Sequence, residues 1–238
     1  MRKTTKNVAL ILLFLTLSVL LGLMIYLYFF ASKNEDISGQ WTAETDMTKQ
    51  AALTAFCWLQ DIEGVSLSME EVESRMGELT IEVNMTLEQT DRSEGTFRCY
   101  IAPESYEECR RTAYEAFAAL FSELTAERLR VAGYTGDVGT EAVEELVTES
   151  FGMPTVSYLM TCAPALLPSL EELQEEYDGS GTYRTADGVL TRQFETGSTA
   201  YTKTEGYIRR ESDLILTQAP DAEDVDHYPI IYQLDQSE

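Results

Sequence analysis

From Leu79 to Glu88 apolar and polar residues alternate without a break. Leu79, Ile81, Val83, Met85 and Leu87 fall on one face, and Thr80, Glu82, Asn84, Thr86 and Glu88 on the other. Only an extended strand, whose side chains point alternately to opposite faces, gathers such a set into one apolar surface. A half-buried strand needs partners for its backbone and a covered inner face, so a sheet with one wet side is implied.

Partner strands can be read on both sides. Gly39 to Met47 carries Trp41, Ala43, Thr45 and Met47 at period two, and Asp91 to Gly95 turns the chain into Thr96 to Ile101. Further on, Thr182 to Ala186 and Val189 to Phe194 flank Asp187-Gly188, a dipeptide suited to a tight hairpin turn because both residues tolerate positive φ. Ala200 to Arg210, Leu214 to Thr217 and Pro229 to Leu234 complete about eight strand candidates.

Helices interrupt this pattern twice. One short helical stretch is expected around Lys49 to Gln60, and Ser68 followed by Glu71 has the spacing of a capping box, opening another. Pro103 begins a longer block in which Tyr106, Cys109, Ala113, Phe117, Leu120 and Leu124 recur at helical spacing. Gly133 to Gly139 breaks it, and Val143, Val147 and Phe151 line a second helix stopped by Gly152. Val156 to Leu167 suggests a third, cut by Pro164 and Pro168, and Ser169 with Glu172 opens a last one through Tyr177. The expected class is α+β, an antiparallel barrel of about eight strands over residues 39–238 with a helical insertion at 103–177.

Ahead of this lies a run without charge from Val8 to Phe30. As a helix it would extend roughly 34 Å, enough to cross a bilayer core. Arg2, Lys3 and Lys6 precede it, which places residues 1–7 in the cytoplasm by the positive-inside rule. Tyr28, Phe29 and Phe30 are too bulky for a signal-peptidase site, so an uncleaved single-pass anchor over 8–30 is expected, followed by a linker at 31–38. The remainder would then sit at the cell membrane on its outer side.

All 41 acidic residues follow that run, in a chain of net charge −24. Nucleic acid and anionic lipid surfaces are therefore poor partners, and a solvated acidic surface accounts for the charge. Four cysteines fall in the same part, where disulfides are permitted. Cys57 and Cys162 sit in apolar stretches and read as small buried hydrophobes, whereas Cys99 and Cys109 are the pair placed to bridge, ten residues apart across a strand end and a helix start.

Gly39-Gln40-Trp41 on a first strand, followed by up-and-down hairpins, resembles the G-x-W opening of lipocalin-like barrels. The whole order is similar to membrane-anchored lipocalin-like proteins of Gram-positive anaerobes, with an inserted helical block and a later G-x-Y segment, here Gly181-Thr182-Tyr183. That resemblance implies that Gly39 and Trp41 close one barrel end, with an arginine packed on the tryptophan. The last strand, Tyr228 to Leu234, contains none, so Arg209 or Arg210 would supply it from an earlier strand.

No catalytic constellation accompanies the fold signals. The single histidine, His227, has no G-x-S-x-G, H-E-x-x-H or P-loop beside it and reads as a loop residue. Asp221, Glu223, Asp224 and Asp226 could offer hard oxygen ligands, but the EF-hand order fails because its glycine position is Asp226 and its last ligand position Tyr232. The expectation is a non-enzymatic domain without cofactor or metal, binding a small apolar ligand or an envelope component. The alternative is a protein-interaction or structural module that uses the insertion, and a hydrolase would require a close buried carboxylate pair.

Overall fold

Eight strands close into one antiparallel barrel in which every strand neighbours the next in the chain, and the last returns to the first. They are β1 (Gly39–Asp46), β2 (Thr80–Asp91), β3 (Glu94–Ile101), β4 (Gly179–Ala186), β5 (Val189–Phe194), β6 (Tyr201–Arg210), β7 (Asp213–Gln218) and β8 (Ile230–Leu234). The computed structural model describes residues 16–24, 36–60, 67–195, 200–219 and 228–235. Closure leaves no open sheet edge, apart from a short seam where β8 meets β1 over two residue pairs.

Alternation decides the inside. Leu79, Ile81, Val83, Met85 and Leu87 are all buried, and so are Phe97, Cys99 and Ile101 on the facing strand. Their register is fixed pair by pair, with Val83 opposite Ile101, Met85 opposite Cys99 and Leu87 opposite Phe97. At the β4–β5 turn both Asp187 and Gly188 take positive φ, 50° and 77°, the twist that a two-residue hairpin needs.

The helices gather at one end of the barrel. Between β1 and β2 come α1 (Thr48–Leu59) and α2 (Met69–Met76), and between β3 and β4 come α3 (Pro103–Val131), α4 (Thr140–Phe151), α5 (Thr155–Cys162) and α6 (Leu170–Tyr177). Both capping boxes are present. Ser68 Oγ accepts from the Glu71 amide while the Glu71 carboxylate accepts from the Ser68 amide, and Ser169 with Glu172 repeats the arrangement. The insertion is clipped at its neck, where the Ile101 amide donates to Asp178 Oδ1 at 2.8 Å. One apolar core therefore joins the helices to the strand ends through Met47, Leu79, Ile81 and Ile101, and a second fills the opposite half of the barrel around Trp41, Phe97 and Leu214.

The cysteine readings are corrected by this arrangement. Cys99 and Cys109 are unpaired and face different cores, Cys99 into the barrel and Cys109 into the helical layer, where burial pushes its thiol pKa up to about 11. Closeness in sequence did not bring the thiols together, because an inward residue on β3 and an inward residue on α3 belong to separate layers. Cys57 and Cys162 are exposed rather than buried. On α1 the buried stripe is Ala51, Ala52, Ala55 and Leu59, and at 100° per residue Cys57 falls off it. Cys162 is the last residue of α5, past its buried Leu159.

Among the described residues no helix is long and apolar enough to cross a membrane. Most of the anchor read over 8–30 lies outside them, as do most of the linker at 31–38, His227 and the acidic run from Asp221 to Asp226. Residues 16–24 are helical and exposed.

Candidate functional site: a charged cavity under the helical cap

The two ends of the barrel differ in kind. At the end away from the helices the interior is closed by Trp41, only 1% exposed. Its indole N–H donates to the Ile37 carbonyl at 2.9 Å, and the Arg209 guanidinium lies 5.3 Å above its ring. Arg209 also donates to the Asp36 carbonyl, so the segment before β1 is tied across the barrel bottom to β6. Gly39 takes a φ of +142°, a backbone conformation that favours glycine whatever the space around it, and a Cβ there would also meet the Leu234 side chain of β8 at 2.6 Å.

Beneath the helices the interior is not filled. A cavity of about 220 Å³ lies among Val83, Cys99, Phe194, Tyr201 and Tyr232, with Tyr177 of α6 over it. Its base is Arg192, 4% exposed, an unusual residue for the interior of a small barrel. Strand phase explains its position: Leu190, Arg192 and Phe194 share the inward face of β5, and Tyr201, Lys203, Glu205 and Tyr207 share that of β6, with Arg192 directly opposite Lys203 and Leu190 opposite Glu205.

The arginine is paired with a fully buried acid. Arg192 Nε donates to Glu205 Oε2 at 3.1 Å and Nη2 to the same oxygen at 2.5 Å. The other carboxylate oxygen accepts from Tyr228 Oη at 2.7 Å and lies 3.3 Å from the Lys203 ammonium. Burial by itself would raise the Glu205 pKa, but Arg192 foremost, then Lys203 and the Tyr228 hydroxyl, hold it below the ordinary carboxylate range. Arg192 also stands 5.5 Å from the Phe194 ring centre and 5.7 Å from that of Phe97. Its remaining terminal nitrogen, Nη1, meets only two sulfurs among the described residues, Cys99 Sγ at 3.4 Å and Met85 Sδ at 3.6 Å. The thiol stays protonated because burial outweighs the nearby cation and pushes its pKa up.

A wall of the cavity is thin. β1 and β8 pair only at Trp41 with Leu234 and Thr42 with Gln233. Beyond that the strands diverge around an outer cleft of about 580 Å³, which shares Thr45 and Ile230 with the inner cavity.

Of the residues expected from sequence, Gly39 and Trp41 lie at the closed end, away from this cavity, and Cys99 lines it while Cys109 does not. Arg192 and Glu205 carry no motif, but a sequence signal for them exists. Each is a charge at a position where the strand's own alternation calls for an inward residue, between Leu190 and Phe194 in one case and before Tyr207 in the other. Among the described residues Glu205 is the only buried acid, so there is no buried carboxylate pair for glycoside hydrolysis, and no cluster suited to a metal ion occurs.

No protein-family model matches the chain, and neither a curated protein nor a solved structure matches it.

Proposed function

We propose that this chain is a membrane-tethered, non-enzymatic binding domain, a lipocalin-like barrel that receives a small molecule beneath its helical cap. The observation that carries this is the cavity at the helix-covered end, walled by aromatic and aliphatic side chains and set over one buried cation, in a barrel whose other end is packed solid. Mostly apolar, concave and with a few converging polar groups is the usual composition of a ligand site. At about 220 Å³ the space suits a small ligand or one end of a longer one. The G-x-W strand and the Arg209 side chain over Trp41 support the lipocalin-like reading, and the charge-free run from Val8 to Phe30 supports the tether.

The test uses the full chain. It is expected to pellet with membranes and, in lipid nanodiscs, to gain thermal stability from members of a panel of small metabolites and lipids, with native mass spectrometry giving one ligand per chain. Ile230→Trp, which fills the space shared by cavity and cleft, should abolish the gain. A chain recovered in the soluble fraction would remove the tether. A panel without a binder would remove the ligand reading.

A second reading has its own observation. Val131, Tyr134, Leu146 and Phe151 of the insertion are exposed apolar side chains, the last 51% exposed, and apolar surface of this kind supports contact with another protein where it is contiguous. Leu146→Ser with Phe151→Ser should leave folding intact and weaken self-association or recovery of a cross-linked envelope protein severalfold. Unchanged cross-linking would sink it.

A further inference from the structure

The hydrogen-bond inventory of the cavity is unbalanced. Glu205 is saturated: one oxygen takes two bonds from Arg192, and the other faces Tyr228 and Lys203. Its two cationic partners are not. A guanidinium has five N–H groups and an ammonium three, all donors. Arg192 spends Nη1 on sulfur, a weak acceptor, although the residue is almost wholly buried. Buried donors of this strength are normally met by oxygen. Lys203, opposite it on β6, is partly exposed at the rim of the same cavity.

The charges around the space are these. Arg192 and Lys203 share the single buried acid Glu205, and Glu176 of α6, exposed at the mouth as Lys203 is, brings the four charges at the cavity to balance, so it is the unmet N–H groups that favour an acidic ligand. The tyrosines around the space are neutral, since burial pushes the hydroxyl pKa of both Tyr201 and Tyr232 further up.

We propose that the cavity takes a small monocarboxylate, aromatic or short-chain, whose carboxylate receives the spare N–H groups of Arg192 and Lys203. Its apolar body lies against Phe194, Tyr201 and Tyr232. Phe194 and Tyr201 are stacked at 4.5 Å and 6° and offer a flat apolar wall. With a water occupying roughly 30 Å³ of liquid, the space equals about seven waters, which suits an acid the size of benzoate or hexanoate. This inference depends on the barrel being a binding site, and the experiment separates the two.

Isothermal titration calorimetry on the full chain in nanodiscs would compare benzoate with benzamide, equal in shape but differing in charge. Hexanoate would be compared with hexanol, and dodecanoate would distinguish a free short acid from the head of a longer lipid. Benzoate should bind about tenfold tighter than benzamide, the worth of one charge-assisted bond. Lys203→Gln should reduce that preference severalfold. Arg192→Met with Glu205→Leu, which removes both buried charges together and so keeps the fold, should abolish it. Equal binding of acid and amide, lost in Ile230→Trp, would overturn the carboxylate assignment and leave the binding site standing. A neutral panel member binding where no acid does would have the same meaning. No binding by any probe would overturn both, and acid binding unchanged in Ile230→Trp or in the double variant would place it elsewhere and overturn the assignment.

Discussion

Glu205→Gln is expected to destabilise the full chain by about 3–5 kcal/mol at neutral pH, because it leaves the Arg192 charge buried without its counter-ion. The carboxamide keeps the volume, so packing changes little and the loss reports electrostatics. Tyr228 and Lys203 also lose their anionic acceptor, while Cys99 and Met85 cannot replace it at the guanidinium. The sign with pH follows from the depressed Glu205 pKa. Its stabilising contribution is fully present above the unfolded glutamate value of about 4.3 and fades as pH falls through the lower folded value. Urea denaturation of the two proteins should therefore differ most at neutral pH, with the gap closing only at strongly acidic pH. A gap that does not narrow as pH falls below about 4.3 and on through the strongly acidic range would contradict the ion pair as its source. Arg192→Met with Glu205→Leu should recover most of the loss, since well-packed apolar replacements of a buried pair are often neutral or stabilising.

Trp41→Ala should cost a comparable amount, about 3–5 kcal/mol, through lost burial and the cavity that remains. Three contacts disappear together: packing in the barrel core, the bond to the Ile37 carbonyl, and the ring beneath Arg209. Trp41→Phe separates them, keeping most of the apolar area while leaving the Ile37 carbonyl without its donor, and should cost about 1–3 kcal/mol. The chain has only two tryptophans. In either variant Trp58, packed 5.4 Å from Phe117 in the helical core, becomes the sole indole reporter. Its fluorescence in urea should show an earlier transition. An unmoved midpoint in Trp41→Ala would mean that the barrel bottom closes without this side chain.

Local pattern was enough to read most of the fold. Period two from Leu79 to Leu87 identified an inner face, Asp187-Gly188 identified a hairpin, and Ser68 with Glu71 and Ser169 with Glu172 identified two helix starts, each from interactions within a few residues. The same locality explains the errors. Cys99 and Cys109 are ten residues apart and yet occupy different layers, and Cys57 lies in an apolar stretch but off the buried stripe of its helix.

The cavity was half legible. The sequence by itself determined that Arg192 shares a strand face with Leu190 and Phe194, and Glu205 one with Tyr207, because alternation is a property of one chain segment. Only the tertiary structure decided that they form a pair, that Tyr228 of the segment before β8 completes it, and that Nη1 is left against sulfur. Strand alternation fixes which side of a strand a side chain points to, but carries no information about strand register, barrel closure or the depth to which the helices fill the lumen. Those depend on contacts between residues far apart in the chain, such as Arg192 with Met85 and Arg209 with Trp41, which exist only after the barrel has closed.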